Sequence, residues 1–221
     1  MDEFIELVSK RRLAKYEGKA APAADLHIYN TRLCESFYPA LSYLEIFLRN
    51  RLDKVFSAHF GDDWVYKDEF TLGGQKNNIA TARASLAHNR QNFEDKSHLV
   101  AELPLGFWTA YFRKEYRPLI WDKVPGILDE VFPKHKGKPD LDAIDSDFNY
   151  IRRYRNKVFH YGSIIVCEGK LPTCRVMSNK IYIMIQNIAS REVVGQIAKI
   201  DRFDDVYMDG VSKGFVELVE V

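Results

Sequence analysis

In the stretch IRRYRNKVFHYG, residues 151–162, an Arg-Asn pair (Arg155, Asn156) is followed by His160. An imidazole exchanges a proton near neutral pH. A guanidinium offers a fixed fork of donors to a phosphorane-like transition state. An amide can hold either the imidazole or the scissile phosphate. Together the three suit transfer at a phosphate. No acidic cluster with magnesium-ligand spacing stands nearby, so the sequence calls for neither a metal nor another cofactor. Metal-free cleavage of a phosphodiester then requires RNA, whose own 2′-hydroxyl is the nucleophile. Arg152, Arg153 and Lys157 crowd the same stretch and are candidates for contact with the RNA backbone. A plainer reading stands beside this one. A histidine at a helix end can cap carbonyls, an arginine can sit in a buried ion pair, and basic residues in a last turn complement the helix dipole.

The spacing constrains how these groups can meet. Arg155 follows Ile151 by four residues and precedes Val158 by three, which puts it on the apolar stripe of a helix, where a lone charge is costly unless paired. Asn156 and His160 share a face. Arg155 and His160 point about 140° apart on an ideal helix, so one rigid helix does not bring them together. Either the arginine stem bends around the helix or a symmetry-related helix completes the site. A second polar intrusion lies in YLEIFLRNRL, residues 43–52. There Glu45 falls on the stripe of Leu41, Leu48 and Leu52. A carboxylate in that position calls for a cation. Arg49, one turn on, is the local candidate; Arg155 is the other, and Glu45 would then hold its guanidinium in place.

The elements that must position these groups read as helices. Residues 2–15 form a short amphipathic helix, with Pro22 marking the loop after it. A helical run extends from about Ile28 to Phe60, with Gly61 as a stop. Gly73-Gly74 bounds a connection ahead of a polar helix at 75–93, and Ser97 is a candidate cap for the next. LPLGFWTAYF, residues 103–112, reads as a turn feeding a buried helix. Pro118, Pro125 and Pro133 keep the following helices short, and PKHKGKP (133–139) reads as an exposed basic loop. The helix carrying the motif starts near Asp140 with an apolar stripe of Leu141, Ile144, Phe148, Ile151 and Val158, and Gly162 ends it. Helices at Ile181–Ile188 and Glu192–Ile200 follow, the second capped by Ser190. Residues 214–221 read as a strand or a frayed tail. The expectation is an all-α fold without a parallel sheet.

The 221 residues, 46% of them apolar, suffice for a globular fold. A net charge of +1 rules out a broadly basic surface, so nucleic-acid contact must come from a local patch. Cys34, Cys167 and Cys174 are odd in number and lack C-x-x-C spacing, which argues against a disulfide framework and for a reducing, cytoplasmic setting. No run approaches a membrane span, and the acidic start MDEFIELVSK is no signal peptide.

RNKVFHYG resembles the Arg-Asn-x-x-x-His signature of HEPN domains. The layout around it resembles the Abi-like (abortive infection) branch of that superfamily. YLEIFLRNRL with HFGDDW (59–64) is similar to its N-terminal helix, LPLGFWTAYF to its mid-chain segment, and IDRFDDVY (200–207) to its C-terminal region. The resemblance covers about residues 29–207. It implies a single HEPN-like helical bundle with additional helices and loops, the helix 2–15 and the tail 208–221 being peripheral. It further implies a homodimer that faces two motifs across a cleft, and metal-independent endoribonuclease activity in bacterial defence or toxin–antitoxin systems. Arg155 and His160 would be catalytic, with Asn156 beside the arginine, and an antitoxin or structured RNA is a further partner to look for. Many members place a second histidine directly after the first; here that position is Tyr161. Some HEPN domains serve only as RNA-binding or dimerisation modules.

Overall fold

The computed structural model describes residues 2–19, 21–92, 94–166 and 171–220. Cys167 lies outside them; Cys34 and Cys174 are buried free thiols. The fold is all-α, with no strand among the described residues. No helix among them is long and apolar enough to cross a membrane. In chain order the helices are α1 (Asp2–Val8), α2 (Lys10–Leu13), α3 (Ala23–Ser36), α4 (Tyr38–Phe60), α5 (Gly73–His88) and α6 (Lys96–Glu102). Then come α7 (Leu105–Thr109), α8 (Ile127–Val131), α9 (Leu141–Phe159), α10 (Cys174–Ile188), α11 (Arg191–Ala198) and α12 (Phe203–Ser212). Short 3₁₀ and π turns link several of them.

The chain forms two compact units. The first comprises residues 1–43, 150–184 and 191–221 and carries the motif. In it α3 packs on α12, and α1 and α2 pack around a small cluster of Leu13, Tyr16 and Leu26. Phe37 stands at its centre, its ring 5.2 Å from Tyr154 and 4.9 Å from Phe203. The second comprises residues 44–149 and 185–190. Its core is aromatic: Phe56 meets Trp64 and Tyr111 edge-on, and Phe112 stacks between Trp121 and Phe148. LPLGFWTAYF supplies Phe107, Trp108, Tyr111 and Phe112 to this core, all buried, as its density of large apolar side chains demands.

Several boundaries differ from the sequence reading. The expected helix at 2–15 breaks at Ser9, whose φ of 77° is left-handed. The run 28–60 is two helices, because Pro39 has no N–H to give and so falls in the first turn of a new one. Gly73 and Gly74 begin α5 rather than precede it. Asp95, not Ser97, caps α6; its carboxylate accepts from Ser97 N at 2.7 Å. α10 starts at Cys174, well before Ile181; α11 runs over Arg191–Ala198 rather than Glu192–Ile200, with Ser190 directly ahead of it as expected. IDRFDDVY (200–207), expected to follow the last helix, instead opens a further one, α12 (Phe203–Ser212). There Asp204 and Asp205 suit the N-terminal dipole, and Asp201 Oδ1 accepts from Phe203 N at 2.6 Å. The described residues after Gly214 form no strand.

Candidate active site

α9 buries Leu141, Ile144, Phe148, Ile151, Tyr154 and Val158, so its apolar stripe runs as the periodicity predicts, with Tyr154 added. The helix stops in a Schellman arrangement. His160 N donates to Asn156 O at 3.0 Å, and Gly162 N donates to Lys157 O at 2.7 Å. Tyr161, between them, takes the left-handed conformation with φ 60°. Glycine usually fills that position; here the glycine comes one residue later. A Cβ on Gly162 would lie 3.2 Å from Lys157 O, so Gly162 serves close approach, while Tyr161 takes the turn at a cost of about 1–2 kcal/mol.

The loop after α9 is tied down from three sides. Arg12 Nη1 donates to Tyr161 O at 2.8 Å, from 149 residues away in sequence. Asn30, buried on α3, donates from Nδ2 to Gly162 O at 3.1 Å and accepts from Ile164 N at 2.8 Å. Lys157 Nζ donates to Ser163 O at 3.3 Å. His160 is thereby held in the open at the end of α9, beside a groove of about 400 Å³. Arg11, Arg12 and Lys15 from the N-terminal helices line that groove together with His160 and Tyr161. All five side chains are exposed, and none of the described residues lining the groove is a carboxylate. Burial, and then the charge of Arg12, hold the nearby His27 below its ordinary pKa. Burial pushes Tyr16 up, against a hydrogen bond from Ser163.

Arg155 is half-buried, its guanidinium 4.6 Å from the centroid of the Phe159 ring, a cation–π contact across one turn. Phe159 in turn lies 6.2 Å from the Tyr38 ring. Neither Arg155 nor the exposed Asn156 lines the groove at His160. The helix thus keeps Arg155 on a different face, as the 140° separation requires. Arg152 is half-buried and Arg153 exposed.

No family model, curated protein or solved structure matches the chain.

Glu45 and Arg49 lie in the second unit. Glu45 Oε1 accepts from Leu105 N at 3.0 Å, at the start of α7, where a carboxylate suits the helix dipole. Arg49 donates to Ala101 O at 2.9 Å, among the last carbonyls of α6, and to Asn50 Oδ1 at 3.2 Å. Among the described residues no group of three His, Cys, Asp or Glu side chains gathers as metal ligands would. Sequence reasoning missed Arg11, Arg12, Lys15 and Asn30. The run SKRRLAK (9–15) was a visible cationic signal, but nothing in its local pattern points to residue 160.

Proposed function

We propose that the chain is a metal-independent endoribonuclease of the Abi-like HEPN kind that its motif resembles, acting in bacterial defence or as a toxin. One observation carries this reading. His160, a group able to move a proton near neutral pH, stands exposed at a groove flanked by three cationic side chains. Such a groove offers local positive potential to a phosphate backbone despite a net charge of only +1. In the reaction the 2′-oxygen of a ribose attacks the adjacent phosphorus, and the bond from phosphorus to the 5′-oxygen breaks. The neutral imidazole of one His160 takes the 2′-proton. A protonated one gives its proton to the leaving 5′-oxygen. Products are a 2′,3′-cyclic phosphate and a 5′-hydroxyl.

Arg155 supplies the charge-stabilising fork in this scheme. Because it does not line the groove at the His160 of its own chain, the scheme has it act in a homodimer, on the substrate held beside the partner's motif. The test is cleavage of RNA in EDTA. Wild type is expected to cut RNA and spare an all-deoxy strand. His160→Ala and Arg155→Ala are each expected to lose about 10²-fold or more. Strict dependence on magnesium, or full activity in folded His160→Ala, overturns the proposal. The same cationic groove also suits a non-catalytic RNA-binding module, which would bind RNA in EDTA and leave it intact.

A further inference from the structure

Tyr161 has a feature that the fold does not use. Its side chain is 74% exposed, so it buries little apolar surface. Its backbone is left-handed, which a bulky residue adopts only under strain. The loop draws on its carbonyl, which accepts from Arg12, and a glycine would present the same carbonyl without the strain. What the tyrosine adds is an aromatic ring at the rim of the groove that holds His160, Arg11, Arg12 and Lys15. An exposed ring beside a cationic track is the combination that unpaired nucleic acid requires: cations follow the phosphates, and the ring stacks on a base. A base inside a duplex has both faces covered by its neighbours, so only a splayed base can take such a platform.

We propose that Tyr161 is a base-stacking residue, and that the groove takes unpaired RNA with one base on the Tyr161 ring and neighbouring phosphates on Arg11 and Lys15. This deepens the ribonuclease reading and rests on it for RNA as the substrate. Arg12 is a positioning residue here: through Tyr161 O it sets where the ring stands relative to His160. The platform requires no particular base, because every base has a π-face, so cleavage is selected by strandedness before sequence.

The experiment measures binding separately from cleavage. The full chain carrying His160→Ala is titrated with three fluorescent probes of equal length: an unpaired oligoribonucleotide, its duplex, and a strand with abasic sites. The unpaired probe is expected to bind about tenfold or more tightly than either of the others. Adding Tyr161→Gly is expected to remove that advantage and leave the abasic probe unaffected, while the melting temperature rises as the strained turn relaxes. Tyr161→Phe, with the ring kept, is expected to bind as Tyr161 does. Arg11→Gln is expected to weaken all three probes and to reduce the salt slope by about 0.7. Equal binding of the abasic strand, or Tyr161→Gly binding like the parent, overturns the proposal. Wild-type cleavage with an unchanged KM in Tyr161→Gly leaves the nuclease standing without the platform. Base-dependent binding without any cleavage leaves the platform without the nuclease, and no RNA binding at all removes both.

Discussion

A single buried amide, Asn30, fixes the loop that holds His160. It donates to Gly162 O and accepts from Ile164 N, so both halves of the amide are used. Asn30→Ala leaves a buried N–H and a partly buried carbonyl without that partner. The expected loss is about 1–3 kcal/mol, read from chemical denaturation, and on the ribonuclease reading a fall in cleavage as well. A residue-scale pH effect comes from Cys34. Burial pushes its thiol from 9.0 up to about 12, against a hydrogen bond from Asn30. The unfolded thiol therefore ionises first as pH rises. Its stabilising contribution is complete below pH 9 and is lost between the unfolded and folded values, at roughly 1.4 kcal/mol per pH unit. Stability measured from pH 8 to 10 should fall less steeply in Cys34→Ala than in wild type. Arg155, Asn156 and His160 could be named as candidates from the sequence because their types and spacing are local. Asn30 and Arg12 could not, because each acts on a loop more than a hundred residues away and no periodicity encodes such a contact.

At the scale of elements, the packing of α12 on α3 depends on the absence of a side chain at Gly210. A Cβ built there would lie 2.0 Å from the Tyr29 hydroxyl and 2.1 Å from the ring carbon bearing it. Tyr29 is fully buried in the same contact, so the ring has little room to retreat. Gly210→Ala is expected to destabilise by about 1–3 kcal/mol or more, although alanine is the better helix former. Shortening the neighbour should return part of the loss: Tyr29→Val with Gly210→Ala should be more stable than the sum of the two single changes, in a double-mutant cycle by thermal or urea unfolding. The helices with long apolar stripes, α4 and α9, were readable from periodicity. α12 was not expected, although Asp201 lies just ahead of it, its carboxylate accepting from Phe203 N, and Phe203, Val206 and Tyr207 carry a helical spacing. The break between α3 and α4 turned on one proline within an otherwise continuous pattern.

At the scale of the whole molecule, near-neutral charge excluded a broad basic surface but not a local cluster of cations, Arg11, Arg12 and Lys15, lining the groove that His160 also lines. The proposed homodimer is tested by subunit mixing. Wild-type chains co-expressed with an excess of His160→Ala chains should form mixed dimers that lack one imidazole. Cleavage should then fall faster than the wild-type fraction; strictly proportional activity, or an active monomer by light scattering, would show each chain to carry a complete site.

The distribution of indole rings decides how any of these variants should be watched. All three tryptophans, Trp64, Trp108 and Trp121, belong to the second unit, where Trp64 and Trp108 are fully buried and Trp121 nearly so. The loop at His160, with Asn30 and Tyr161, belongs to the first. Emission excited at the red edge of the spectrum therefore reports on a part of the protein that contains none of the proposed catalytic groups. Far-ultraviolet circular dichroism sums over helices of both. If Asn30→Ala shifts the dichroism melt and leaves the fluorescence melt in place, the units unfold separately; if the two curves move together, a tryptophan signal also reports on the loop at His160.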